Sequence, residues 1–129
     1  MLKILSILRC IIVLTLLLSV GCSSAENNAI SPSEAANLQK TQQAVIIDVR
    51  DDKEWQQQHI PGAIHIPLAQ LNNRLGELAA YKNTKLVMQC HSGGRSAKAT
   101  ELLTAAGFSN VSNMDGGLLA WNKAGLATE

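Results

Sequence analysis

Short apolar runs alternate with segments of helical periodicity along most of the chain. Ala44 to Val49 is apolar except for Asp48, the pattern of a strand covered on both faces. Lys85 to Gln89 has the same character, and Ala63 to Ile66 and Asn110 to Met114 read as shorter strands. Between them, Ser31-Pro32-Ser33-Glu34 is a capping-box signal with proline at the first helical position, opening a helix through Lys40. Asp51 to Gln58 is a short, charged helical stretch. Leu68, Leu71, Leu75 and Leu78 predict an amphipathic helix from Leu68 to Tyr81, across Gly76. Helices over Ser96 to Ala106, stopped by Gly107, and over Gly117 to Ala124, stopped by Gly125, complete the pattern. This alternation predicts an α/β fold, with a small parallel central sheet of about five strands flanked by helices on both faces. Functional loops of such sheets lie at the carboxyl ends of strands, where Asp48 and Cys90 both sit.

The amino terminus departs from this pattern. Lys3 and Arg9 precede an uncharged apolar run from Cys10 to Val20, and Gly21-Cys22 follows as a small-residue cleavage site. The run is too short to be a comfortable membrane span. Leu18-Ser19-Val20-Gly21-Cys22 resembles the lipobox of bacterial lipoprotein signal peptides, with one departure at Ser19, where an aliphatic residue is usual. The resemblance implies that residues 1–21 are removed as a signal peptide and that Cys22 carries lipid on its sulfur. The competing reading is an uncleaved anchor that includes Leu2 to Leu8, with Arg9 inside the membrane at a cost of roughly a few kcal/mol. Either version places the folded part outside the cytoplasmic membrane. Residues 22–28 then read as a polar tether and residues 29–129 as one domain. Ser23 resembles the outer-membrane sorting signal of enteric bacteria, so the expected location is the periplasm, with a lipid anchor in the outer membrane.

Composition narrows the partners. With 129 residues, 3% aromatics and a formal net charge of +1, the chain suits a single small domain and shows no nucleic-acid-binding surface. Loss of Lys3 and Arg9 from the eleven basic residues, against ten acidic ones, turns the charge to −1. Membrane attachment would therefore come from the lipid. Of the three cysteines, Cys10 leaves with the signal and Cys22 is acylated, so Cys90 is the single free thiol of the mature chain. In an oxidising compartment that excludes an internal disulfide and marks Cys90 as reactive.

The run Cys90-His91-Ser92-Gly93-Gly94-Arg95-Ser96 lies between a predicted strand and a predicted helix. Two glycines let the backbone curl so that successive N–H groups point inward at the start of the helix. The thiol thus sits at the bottom of an anion cradle. A thiol with a pKa near 8.5 is only about 3% ionised at pH 7, whereas one lowered by roughly two units is about three-quarters thiolate. Arg95 is expected to add a full positive charge. The plain alternative is a glycine-rich turn with a buried structural cysteine.

Ile46-Ile47-Asp48-Val49-Arg50, Glu54-Trp55, His59-Ile60-Pro61-Gly62-Ala63 and Ile66-Pro67-Leu68 resemble the opening half of a single-domain rhodanese. The loop Cys90 to Ser96, Gly107-Phe108, Val111, and Gly116-Gly117 with Trp121 resemble its closing half. Gln58, where glycine is common, and His65, where asparagine is common, depart from the pattern. The resemblance covers roughly residues 29–124 and implies a rhodanese-like fold and sulfur transfer. By that implication Cys90 attacks the outer sulfur of thiosulfate or a similar donor, releases sulfite, and holds a persulfide until a thiol or cyanide accepts the sulfur. No cofactor and no metal is implied. Dual-specificity phosphatases related to this fold carry one more residue between cysteine and arginine, and the smaller loop here suits one extra sulfur better than a phosphate. The loop also lacks the Gly-Val-Thr ending associated with mercaptopyruvate sulfurtransferases, and its arginine favours an anionic donor.

The remaining candidates each have two readings. Asp48 orients the loop or is a structural strand-end residue, and Arg50 guides an anion or forms a surface ion pair with Glu54. His59 reads as a buried hydrogen-bonding residue of its turn, and His91 contributes its backbone N–H whatever its imidazole does. Ser92 and Ser96 read as hydroxyl donors to the bound anion or to the helix start. Cys90 and His91 are adjacent and no second cysteine pair stands at ligand spacing, which argues against zinc. A non-catalytic binding or redox- and sulfide-sensing module is the alternative function, since a lone accessible thiol is open to oxidation.

Overall fold

The computed structural model describes residues 28–129. The expected signal segment, the expected acylation site Cys22 and the expected tether as far as Asn27 lie outside the described residues. From there the chain runs β1 (Ala29–Ile30), α1 (Pro32–Lys40), β2 (Ala44–Asp48), α2 (Asp52–Gln57), β3 (Ile64–His65), α3 (Leu68–Leu71), β4 (Lys85–Gln89), α4 (Gly94–Ala105), β5 (Val111–Met114) and α5 (Gly117–Lys123). The strands form one parallel sheet in the order β1-β5-β4-β2-β3. This is the α/β architecture that the alternation of elements predicts.

Strand β1 escapes the sequence pattern, because two residues are too few to show a period. It pairs with the edge of β5, and the Asn113 N–H donates to Asn28 O at 2.8 Å, so the last residue of the expected tether is already tied to the sheet. The expected helix over Leu68–Tyr81 is α-helical only through Leu71 and continues as 3₁₀ turns over Asn72–Tyr81. Asn72, Asn73 and Gly76 are poor helix formers, and the segment is held by Leu71 and Leu78, which are fully buried. Helix α4 starts at Gly94, two residues earlier than its expected start at Ser96.

The period of the strands divides the core into two layers. Ile47, Leu86, Met88, Cys90, Ala99 and Leu103 pack on one face, under α3 and α4. Ala35, Ile46, Val87, Met114, Leu118 and Trp121 pack on the other, under α1 and α5. Leu86, Met88 and Cys90 are in phase, so the pleat that buries two apolar side chains carries the thiol onto the same face. Asp48 and Gln89 stand opposite one another in the β2–β4 register, level with the carboxyl edge of the sheet.

Candidate active site

Cys90 follows the last residue of β4 and is 1% exposed. Its sulfur accepts the Gly93 N–H at 3.1 Å and the Ser96 O–H at 3.3 Å. Helix α4 begins at Gly94, so the sulfur also faces the amino terminus of a 12-residue helix, where unpaired N–H groups and the helix dipole favour negative charge. Burial pushes the thiol pKa up. The Ser96 hydroxyl, followed by the backbone amides of Ser96, Gly93 and Ser92, outweighs burial and holds it below its ordinary value. The sulfur thus has two donors at the start of a helix, an arrangement that favours its ionised form.

The two glycines of the loop are unequal. Gly93 has φ of +107°, a left-handed conformation that bends the chain back onto the sulfur. Gly94 opens α4, and a Cβ there would meet nothing within 4 Å. The loop closes against a second glycine pair. The Leu118 N–H donates to Cys90 O at 2.8 Å and the Leu119 N–H to His91 O at 3.1 Å. Gly117 lets α5 come this close, since a Cβ on it would stand 2.5 Å from Cys90 O and from the His91 carbonyl carbon. A peptide carbonyl and the next N–H point in opposite directions across a planar trans bond. With the carbonyls of Cys90 and His91 turned to α5, the N–H groups of His91 and Ser92 face the cradle.

Arg95 is partly buried in the first turn of α4. Its guanidinium forms a two-pronged ion pair with Glu54, at 2.7 and 2.8 Å, with Asp51 at 3.9 Å. The guanidinium also attracts the charge on Cys90, while the hydroxyl and amides that hydrogen-bond the sulfur are what hold its pKa down. Glu54 is held down at about 2, first by the hydrogen bonds from Arg95. The pair ties α2 to the first turn of α4 and braces the loop. The sequence marks Glu54 as part of the Glu54-Trp55 resemblance and as a partner for Arg50, not for Arg95. Glu54 also accepts the Asp51 N–H at 3.1 Å.

Asp48 and Arg50 form a buried pair with each other, which replaces the expected surface pair of Arg50 with Glu54. Asp48 is fully buried and Arg50 is 3% exposed. Arg50 Nη2 donates to Asp48 Oδ2 at 2.7 Å and to Gln58 O at 2.7 Å, and Nη1 donates to Glu54 O at 3.4 Å. A buried carboxylate at a strand end needs a countercharge, and residue 50 is near enough to bend back to it. The guanidinium is thereby engaged in holding the β2–α2 turn, which leaves it little capacity for a substrate anion.

His59 is half-buried and stacks on Trp55, with its Nδ1 2.9 Å from Trp55 O. His65 also stacks on this indole, and its Nε2 lies 2.8 Å from Arg50 O. His91 is exposed and borders a crevice of about 630 Å³ with Gln58, Leu119 and Asn122. The crevice opens beside the loop, and Cys90 is not part of its wall. Ser92 is exposed at the tip of the loop.

The chain matches the Rhodanese-like domain family over residues 31–124. It is 36% identical to an uncharacterized protein of Synechocystis over 109 residues, which are 84% of this chain and 60% of that protein's length. It is 33% identical to a sulfurtransferase of Allochromatium vinosum over 100 residues, 78% of this chain and 92% of that protein. The crystal structure of a rhodanese-related protein from Thermoplasma volcanium superposes with a TM-score of 0.72 at 26% identity, covering 79% of this chain and 97% of that one. A parallel five-stranded sheet, a thiol cradled between β4 and α4, and a family match that spans both make this chain a member of the rhodanese-like family, with sulfurtransferases among its relatives.

Proposed function

We propose that the protein is a sulfurtransferase that works through a persulfide on Cys90. The observation that carries this reading is the buried sulfur receiving both an N–H and an O–H at the start of α4. The Cys90 thiolate attacks the outer sulfur of thiosulfate, forming an S–S bond. The donor's own S–S bond breaks and sulfite leaves with its electron pair. The terminal persulfide anion rests against the amides of the loop, which stabilise it as they stabilise the thiolate. An acceptor thiolate or cyanide then attacks the outer sulfur, takes it away, and returns Cys90 as thiolate. His91, Ser92, Gly93, Gly94 and Ser96 form the anion-binding loop, while Arg95, Asp48 and Arg50 hold its surroundings.

The same proposal places the mature protein in the periplasm, on a lipid attached to Cys22, following the lipobox-like run Leu18 to Cys22. Intact mass of membrane-extracted protein tests this part, because a mature species that retains residues 1–21 rules out processing. For the chemistry, incubation of the full chain with thiosulfate should add one sulfur atom in mass, lost on Cys90→Ser. Absence of both adduct and turnover with several sulfane donors would leave the loop as a binding or sensing module.

A further inference from the structure

Among the described residues, the two buried side-chain polar atoms without a hydrogen-bond partner are Gln89 Oε1 and Asn113 Oδ1. Both belong to carboxamides whose nitrogen reaches the cysteine loop. Gln89, fully buried at the end of β4, donates from Nε2 to Cys90 O at 2.6 Å. Asn113, on β5, donates from Nδ2 to Gly93 O at 3.2 Å. A carbonyl can only accept, so the nitrogen of each amide must face the loop, and the oxygen is left on the unpaired side. Leaving a buried acceptor unpaired costs about 1–3 kcal/mol. Two such sites converging on one loop call for a common explanation.

We propose that Gln89 and Asn113 are positioning residues for Cys90, holding the carbonyls at the two ends of the loop outward so that its amide hydrogens converge on the sulfur. Cys90 O then has two donors, Gln89 Nε2 and the Leu118 N–H. Gly93 O also has two, Asn113 Nδ2 and the Ala97 N–H. Because each peptide is planar and trans, fixing these carbonyls fixes the peptide planes on both sides of the short segment that brings the Gly93 N–H to the sulfur. An apolar residue at either position would relieve an unpaired oxygen and lose this control. Gln89 is also the polar exception in an otherwise apolar strand end, Leu86-Val87-Met88-Gln89.

The purpose of the device rests on the sulfur-transfer reading, but its test does not. In Gln89→Met and Asn113→Leu, the pH dependence of Cys90 alkylation should move to higher pH. The rate at pH 7 should fall about three- to tenfold in each variant, which corresponds to a midpoint shift of about half a unit to one unit. Folded variants with the wild-type alkylation profile would overturn the proposal. Independently of any variant, the side-chain NH₂ resonances of Gln89 and Asn113 in the wild-type chain should move with the ionisation of Cys90. Resonances that stay silent through that titration would also overturn it. Alkylation needs no sulfur donor, so a wild-type chain that takes up no sulfur from thiosulfate counts against sulfur transfer alone.

Discussion

Ser96 is the side chain on which the reactivity of Cys90 depends most. It is fully buried, and its hydroxyl is the largest favourable contribution to the thiolate. Ser96→Ala removes a hydrogen bond to a charged acceptor, which is worth roughly 1.5–3 kcal/mol. Alkylation at pH 7 should slow by about tenfold or more, with the midpoint displaced to higher pH. A rate profile identical to the wild type would show that the backbone alone holds the thiolate. Cys90, Ser96 and Gly93 were readable as a unit from the chain, because a thiol, a left-handed glycine and a helix start are linked by local geometry. The pairings of Arg95 with Glu54 and of Arg50 with Asp48 were not. Arg50 stands within four residues of Asp48, Asp51, Asp52 and Glu54, and Arg95 has no acid within five residues, so spacing alone chooses a partner for neither.

At the scale of elements, the loop is shaped as much by α5 as by the strand and helix on either side of it. Gly117 has φ of +57° and lies against the backbone carbonyls of Cys90 and His91. Gly117→Ala would set a Cβ against backbone atoms that have nowhere to move. It should lower stability by about 2–4 kcal/mol, seen as a lower Tm, and reduce thiol reactivity in the fraction that remains folded. Gly94→Ala meets open space and serves as the contrasting substitution, expected to leave Tm within a few degrees. Strands β2 and β4 were plain in the sequence because fully covered strands form unbroken apolar runs. Strand β1 and the 3₁₀ segment over Asn72–Tyr81 were not, because a two-residue strand has no period and 3₁₀ turns share leucine spacings with the α-helix.

For the whole molecule, the Glu54–Arg95 pair joins two elements far apart in sequence, and its ionisation gives stability a pH dependence. The folded pKa of Glu54, about 2, lies below its ordinary 4.5. The corresponding stability is present above about pH 4.5 and is lost as pH falls toward 2. Both side chains are about one-third exposed, so the effect is screened by solvent and weakens with salt. Thermal unfolding followed from pH 5 to pH 2 should show a shallower decline for Glu54→Gln than for the wild type. Equal slopes would mean that the pair contributes nothing to acid stability.

Residues near one another along the chain set out the strand-and-helix order, the parallel sheet and the thiol at a strand's carboxyl end. Hydrophobic period and turn chemistry act over a few residues and need no knowledge of the rest of the molecule. Which acid meets which arginine, how closely Gly117 approaches Cys90, and which carboxamides hold the loop carbonyls depend on contacts between distant segments. Those contacts arise only when the sheet brings the ends of β2, β4 and β5 to one edge, since hydrogen bonds and ion pairs are made by proximity in space, whatever the separation in sequence.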